Sequence, residues 1–179
     1  MEAFIDLLRR YEIELLIDTR SSPYSRYSPQ FNREVLSEAL RVAKVSYLFL
    51  GEGLGGRPGD PAFYDSQGYV RYDRIAESAA FEQALQRLLQ VSGNARSAIL
   101  CSEEDPTDCH RRRLVSKVLE SRGVEILHIR GDGRLQTEAE IKQATCGDQP
   151  TLFALDQGSE WKSTRSVLDK KTRQPSSES

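Results

Sequence analysis

"SAILCSEEDPTDCHRRRLVSKVL", residues 97–119, runs from an apolar segment through a charged loop into a second apolar pattern. "SAILC" has the short, unbroken apolar character of a strand buried on both faces. Beyond the loop, Leu114, Val115, Val118 and Leu119 recur at helical spacing, and Gly123 supplies a stop. Asp105 followed by Pro106 reads as an N-cap and first helical residue, with Asp108 in the first turn, where an acid suits the helix dipole. Strand, loop and helix in that order form the repeating unit of an α/β protein.

The same alternation extends on both sides. Upstream, Ala3, Phe4, Leu7, Leu8 and Tyr11 mark an amphipathic helix, and "IELLID" is a buried strand ending at Asp18. After the loop "TRSSPYSRYSPQ", Ser28 and Pro29 read as cap and first residue of a helix whose face is Phe31, Val35, Ala39 and Val42. "VSYLFL" (45–50) is a second strand, broken by the irregular "GEGLGGRPGDP". A helix is predicted from about Asp73 to Gln90, with Phe81, Leu85, Leu88 and Leu89 as its apolar stripe. Downstream, "VEILHI" (124–129) is a fourth strand, and "TEAE" (137–140) fits a capping box on a short helix. The expected architecture is a mainly parallel sheet with helices on both faces, a Rossmann-like or flavodoxin-like three-layer sandwich. One domain over residues 1–157 is expected, with 158–179 a polar, basic, Ser-rich tail that is loosely ordered.

Composition narrows the function. The 179 residues carry a formal charge of −2, so no global basic field points to nucleic acid, and any attraction for phosphate must be local. No apolar run approaches the ~20 residues of a membrane span, and "MEAFIDLLRR" lacks the basic start and long apolar stretch of a signal peptide. Three cysteines, an odd number, argue against a disulfide scaffold. A reduced, cytoplasmic protein without membrane partners is expected.

Ligands of open parallel sheets sit at the carboxyl ends of strands, where loops converge. Three unusual loops leave such ends here. In the first, Asp18, Arg20, Ser25, Arg26 and Tyr27 combine guanidinium forks with hydroxyls, which suits an anion, although Asp18 and Arg20 pairing with each other is an equal reading. The second offers glycines at 51, 53, 55 and 56 for close backbone approach and places Glu52 among them. It lacks the Gly-Lys-Ser/Thr of a P-loop, and Pro58, Gly59 and Pro61 rule out a dinucleotide fingerprint; a plain tight turn is the alternative.

The third loop admits four chemistries. A cysteine-dependent phosphatase or sulfurtransferase needs an arginine six positions beyond its cysteine, but Thr107 follows Cys101 and Val115 follows Cys109 at that distance. Zinc would take Cys101, Cys109 and His110 with an acid, but adjacent Cys and His chelate one ion poorly and no second ligand pair exists, so no metal is expected. Cys101 and Cys109 form a possible redox pair at an unusual spacing. The fourth chemistry is an anion-binding catalytic pocket: Arg111 holds the anion, His110 acts as acid or base, and Glu103 or Glu104 activates water. Set against all four, the cysteines are small buried hydrophobes and the arginines a solvated helix face.

Together, "IDTRSSPYSRYSPQFN", "YLFLGEGLGGRP", "SAAFEQALQRL" and "ILCSEEDPTDCHR" followed by "GVEILHI" make the chain resemble the prokaryotic family catalogued as domain of unknown function 488, over about residues 3–130. The resemblance implies a compact α/β domain in which the Asp-x-Arg, Gly-Glu and Cys-Glu…Cys-His-Arg loops form one pocket. It marks Asp18, Arg20, Pro23, Ser25, Gly51, Glu52, Gly56, Cys101, Glu103, Pro106, Cys109, His110 and Arg111. Family members usually open with a strand carrying a Thr-Ile-Gly-His-like segment; this chain starts within the following helix, so either its start is truncated or that strand is missing, and a missing strand would leave an apolar sheet edge. The resemblance leaves the cofactor unknown.

The leading expectation is an enzyme acting on an anionic small molecule or nucleic acid. Glu103, His110, Cys101 and Cys109 are its catalytic candidates; Asp18, Arg20, Ser25, Arg26, Glu52, Gly56 and Arg111 would bind the substrate. The rivals are a binding module that uses the same pocket and a thiol redox sensor built on Cys101 and Cys109.

Overall fold

The computed structural model describes residues 1–146 and 161–167. At its centre lies β1 (Leu15–Asp18), with β2 (Ser46–Phe49) on one side and β3 (Ser97–Leu100) on the other, all parallel. Every residue of β1 is buried. Alternation along the strand sends Leu15 and Ile17 into one core and Leu16 into the other.

The first core lies against α3 (Gly51–Leu54), α4 (Tyr72–Ala76), α5 (Ala79–Ser92), a π-helical stretch (Arg111–Ser116) and α6 (Lys117–Ser121), with Leu54, Phe81, Leu85 and Leu114 wholly buried. The second lies against α1 (Glu2–Arg10) and α2 (Arg33–Val42) through Ile5, Leu8, Leu36 and Leu40. Each such side chain contributes ~1.5–3 kcal/mol by leaving water. The result is a three-layer α/β fold, as the alternating pattern predicts.

Local readings differ in several places. The buried face of α2 is Leu36 and Leu40, while Val35 and Val42 are 51% and 69% exposed. Two apolar stripes run side by side on this helix, and the larger leucines take the core. Ser28 makes no side-chain cap; Pro29–Phe31 form an isolated 3-10 turn, and α2 starts after Asn32. The predicted helix over 73–90 is two helices, parted where Ser78 accepts from the Phe81 N–H (3.2 Å) and starts α5 afresh. The glycine cluster is not wholly irregular, since Gly51–Leu54 makes one helical turn.

The largest correction concerns the fourth strand. β4 (Leu127–Ile129) does not extend the parallel sheet; it pairs antiparallel with β5 (Leu135–Thr137), which no sequence pattern had announced. Gly133, at φ 81°, supplies the left-handed turn between them. β3 thus has β1 as its neighbour on one side and stands at the sheet's edge on the other. Along that edge runs a cavity of about 830 Å³, walled by β3, α1 and the segment from Val124 to Gly131. Beyond it, α7 (Glu138–Cys146) opens with the predicted capping box: Glu140 Oε2 accepts from the Thr137 N–H (2.7 Å), and Thr137 Oγ1 from the Glu140 N–H (3.2 Å).

Of the stretch from residue 158, the part over 161–167 is described, and the remainder lies outside the described residues. That part lies along Gly68–Arg71: Lys162 bridges Arg71, the Ser163 N–H donates to the Val70 carbonyl (3.0 Å) and the Val167 N–H to Gly68 (2.9 Å). Lys117 Nζ sits 4.6 Å from the centre of the Trp161 ring.

Candidate functional site

At the end of β1 the chain buries a carboxylate, and a buried charge needs partners. Asp18 has them all. Arg20 donates through Nε to Oδ1 (2.9 Å) and through Nη2 to Oδ2 (2.6 Å), its backbone N–H adds a bond to Oδ1 (3.0 Å), and the Tyr47 hydroxyl donates to Oδ2 (2.7 Å). The remaining fork of Arg20, Nη1, donates to the Phe31 carbonyl (3.0 Å). Of the two readings open for these residues, the mutual pair is the one formed. Arg20 borders the cavity, but its guanidinium is committed to the loop.

At the end of β3 a second cluster forms. Cys101 Sγ lies 3.2 Å from His110 Nδ1 and 2.8 Å from Glu103 Oε2. His110 Nε2 lies 3.0 Å from the Thr19 carbonyl oxygen. A carbonyl only accepts, so this contact puts the ring's first proton on Nε2 and turns Nδ1 towards the sulfur. Cys109 Sγ lies within 4.8 Å of Cys101 Sγ and accepts the Arg111 backbone N–H at 3.3 Å. Cys101, Cys109 and His110 are buried, both thiols are free, and Glu103 is the exposed member.

The electrostatics follow from these contacts. The neighbouring Cys109 thiol outweighs burial and, with His110 and Glu103, holds the Cys101 thiol far below the ordinary thiol range, while Cys109 is pushed up in turn. Burial opposes charge on His110, but Cys101, Glu103 and the Thr19 carbonyl together raise its pKa. Burial, then Cys101, raises Glu103.

The glycine loop supports this cluster by packing. A Cβ on Gly56 would stand 2.5 Å from Cβ and Cγ of His110, and one on Gly51 would stand 2.1 Å from the Arg20 carbonyl oxygen. The close backbone approach expected towards a ligand is thus made to the protein's own His110 and Arg20. Glu52 is exposed on α3, and among the described residues no hydrogen bond or ion pair ties it to the cluster. In the first loop, Ser25 Oγ accepts the N–H groups of Tyr27 (3.2 Å) and Ser28 (3.3 Å) and borders the cavity. Arg26 is exposed, stacked 5.0 Å from the Tyr27 ring centre.

The three consecutive arginines have three fates. Arg112 Nε donates to both oxygens of Glu138 (3.0 and 2.9 Å), which also meets His128 Nε2 at 2.7 Å in a buried cluster fastening α7 and β4 to the motif. Arg113 Nε donates to the Lys162 carbonyl (3.1 Å). Arg111 borders the cavity with Cys101, Ser102 and Glu103; one Nη2 bond reaches the Glu104 carbonyl (3.4 Å), while its Nε is buried with no partner among the described residues. Glu104, the other candidate for activating water, is taken by Arg130 (2.8 and 2.9 Å) and the Gly131 N–H (3.0 Å). Thr19, Tyr47, Arg112, His128 and Glu138 were absent from the candidates read in the sequence. The Thr19 contribution is a backbone carbonyl, which no side-chain motif encodes; Glu138 did stand beside the legible capping box.

Fold and site together define an α/β protein with a thiol–imidazole–carboxylate cluster at a strand's carboxyl end. A family model described as Domain of unknown function DUF488 matches residues 1–118, and the chain belongs to that family. No curated protein and no solved structure matches it. Among the described residues, no helix is long and apolar enough to cross a membrane.

Proposed function

We propose that the chain is an enzyme acting on an anionic substrate of the nucleotide or nucleic-acid phosphate class, bound where the cavity meets the end of β3. The observation that carries this reading is Arg111 Nε, a buried cationic donor without a partner among the described residues, on the wall that Cys101 and Glu103 share. A buried unsatisfied donor costs ~1–3 kcal/mol, and an arriving anion relieves it. Arg111 takes the anion, with Ser25 and Ser28 adding polar contacts from the first loop. Glu103, the one exposed member of the reactive cluster, exchanges protons with the substrate or with water. His110, held by Thr19 and Gly56, keeps the cluster in register.

Turnover on a panel of phosphomonoesters, nucleotides and short single-stranded oligonucleotides tests this. Glu103→Gln is expected to abolish turnover while retaining affinity. Arg111→Ala is expected to weaken binding about tenfold to a hundredfold, the worth of a charge-assisted hydrogen bond. An absence of turnover across the panel, with both variants merely losing binding, would leave the chain a binding module.

A further inference from the structure

Spacing argues against a metal here, because neighbouring Cys109 and His110 on one regular element send their side chains in different directions. The chain is not regular at that point. Cys109 has extended backbone (φ −99°, ψ 136°) and His110 is helical (φ −62°, ψ −27°), so the break brings both side chains into one space. Sγ of Cys101, Sγ of Cys109, Nδ1 of His110 and a carboxylate oxygen of Glu103 all lie within 4.8 Å of one another.

We propose that Cys101, Cys109 and His110 hold one Zn²⁺ ion, with Glu103 standing beside its fourth position. Two thiolates and an imidazole suit zinc and exclude magnesium or calcium, which take oxygen ligands. The surrounding bonds are those a zinc ligand needs. The Thr19 carbonyl takes the Nε2 proton and leaves the Nδ1 lone pair for the metal, and the Arg111 N–H steadies the Cys109 sulfur. Three buried ligands and one exposed acid at a cavity wall make an open site, unlike the closed four-ligand sets of structural zinc.

Loading forms two S–Zn bonds and an N–Zn bond, and the protons held on the sulfurs and on Nδ1 pass to solvent. The site's catalytic role, though not its existence, rests on the enzyme reading above. A water in the fourth position loses a proton to the Glu103 carboxylate and attacks the substrate's phosphorus; the bond to the leaving group breaks, and Glu103 returns the proton to it.

The test uses the full chain, stripped with a chelator and titrated with Co²⁺. One Co²⁺ per chain is expected, with a thiolate-to-cobalt charge-transfer band and the strong visible bands of tetrahedral cobalt, all displaced by Zn²⁺. Cys109→Ser should weaken binding by at least about a hundredfold, more than losing a supporting contact would. Glu103→Gln should keep both sets of bands, and their loss would overturn the three-ligand assignment. If Cys109→Ser fails to fold, alkylation of the wild-type chain decides. Zn²⁺ should protect Cys101 and Cys109, and chelator should restore their labelling. Equal labelling with and without Zn²⁺, or Co²⁺ bound without a thiolate band, overturns the site. Turnover undiminished in the stripped chain sinks the catalytic role and spares the enzyme reading. A loaded site without turnover on any substrate upholds the site and sinks that reading.

Discussion

Two clusters of ionisable groups stand at adjacent strand ends, Asp18 with Arg20 on β1 and Cys101 with its three partners on β3. Both are largely buried, both follow an apolar strand, and both consist of residues common in active sites. They differ in what is left over. Both oxygens of Asp18 and all three guanidinium nitrogens of Arg20 are bonded within the protein. The β3 cluster instead keeps an exposed carboxylate, a thiol pair and, next to it, an arginine nitrogen on a cavity wall that has no partner among the described residues. A closed cluster builds the loop, whereas an open one retains capacity for a ligand. The presence of charged motif residues therefore says little until their hydrogen bonds are accounted for.

Removing one partner from the closed cluster is the strongest way to break the comparison. Asp18→Ala leaves the Arg20 guanidinium buried and uncompensated, which costs ~3–5 kcal/mol. Equilibrium urea denaturation should show most of the domain's stability gone. A variant within ~1 kcal/mol of wild type would mean that the pair is no more structural than the cluster beside it.

A smaller effect is expected where the glycine loop touches the open cluster. Gly56→Ala drives a methyl into the root of the His110 side chain, and the overpacking costs ~1–3 kcal/mol. Displacing His110 should also weaken Co²⁺ binding. Gly59, three residues on, is the control within the same loop. Nothing lies within 4 Å of its Cβ position and its φ is not positive, so Gly59→Ala should be neutral or stabilising by ~0.4–1 kcal/mol. Equal losses at the two positions would show that the loop, and not the His110 contact, sets the sensitivity.

The same distinction explains what the sequence disclosed. Apolar runs located β1, β2 and β3, and the Thr137–Glu140 capping box was read from local chemistry that needs no distant partner; Asp105 does cap as read, but it caps an isolated 3-10 turn, Pro106–Asp108, and the helix starts only at Arg111. Partners far along the chain were not legible. Arg112 meets Glu138 across 26 positions and Arg113 meets Lys162 across 49, so a run of three arginines could not be divided into two anchors and one free donor. The apolar run 124–129 marked β4 but did not name its neighbour, and α2 offered two stripes whose choice depended on what they met. Asp18 and Arg20 read alike whether they faced each other or a substrate. Nor could spacing show that the donor atoms of Cys109 and His110 converge, because it assumes regular backbone and the chain changes conformation between them.

The mildest change separates punctuation from chemistry inside a single motif. Asp105 stands two residues from Glu103, yet its Oδ1 accepts from both the N–H and the hydroxyl of Thr107 at 2.8 Å, closing the turn Pro106–Asp108. Asp105→Ala should cost about 1 kcal/mol, the usual worth of an N-cap, seen as a small drop in urea midpoint. The Co²⁺ spectrum should not change, because His110 is held by Thr19 and packed on Gly56, and Cys109 is fully buried. Loss of the spectrum at so small a cost in stability would show that the turn and the cluster act as one unit, and that the line between closed and open groups does not run between Glu103 and Asp105.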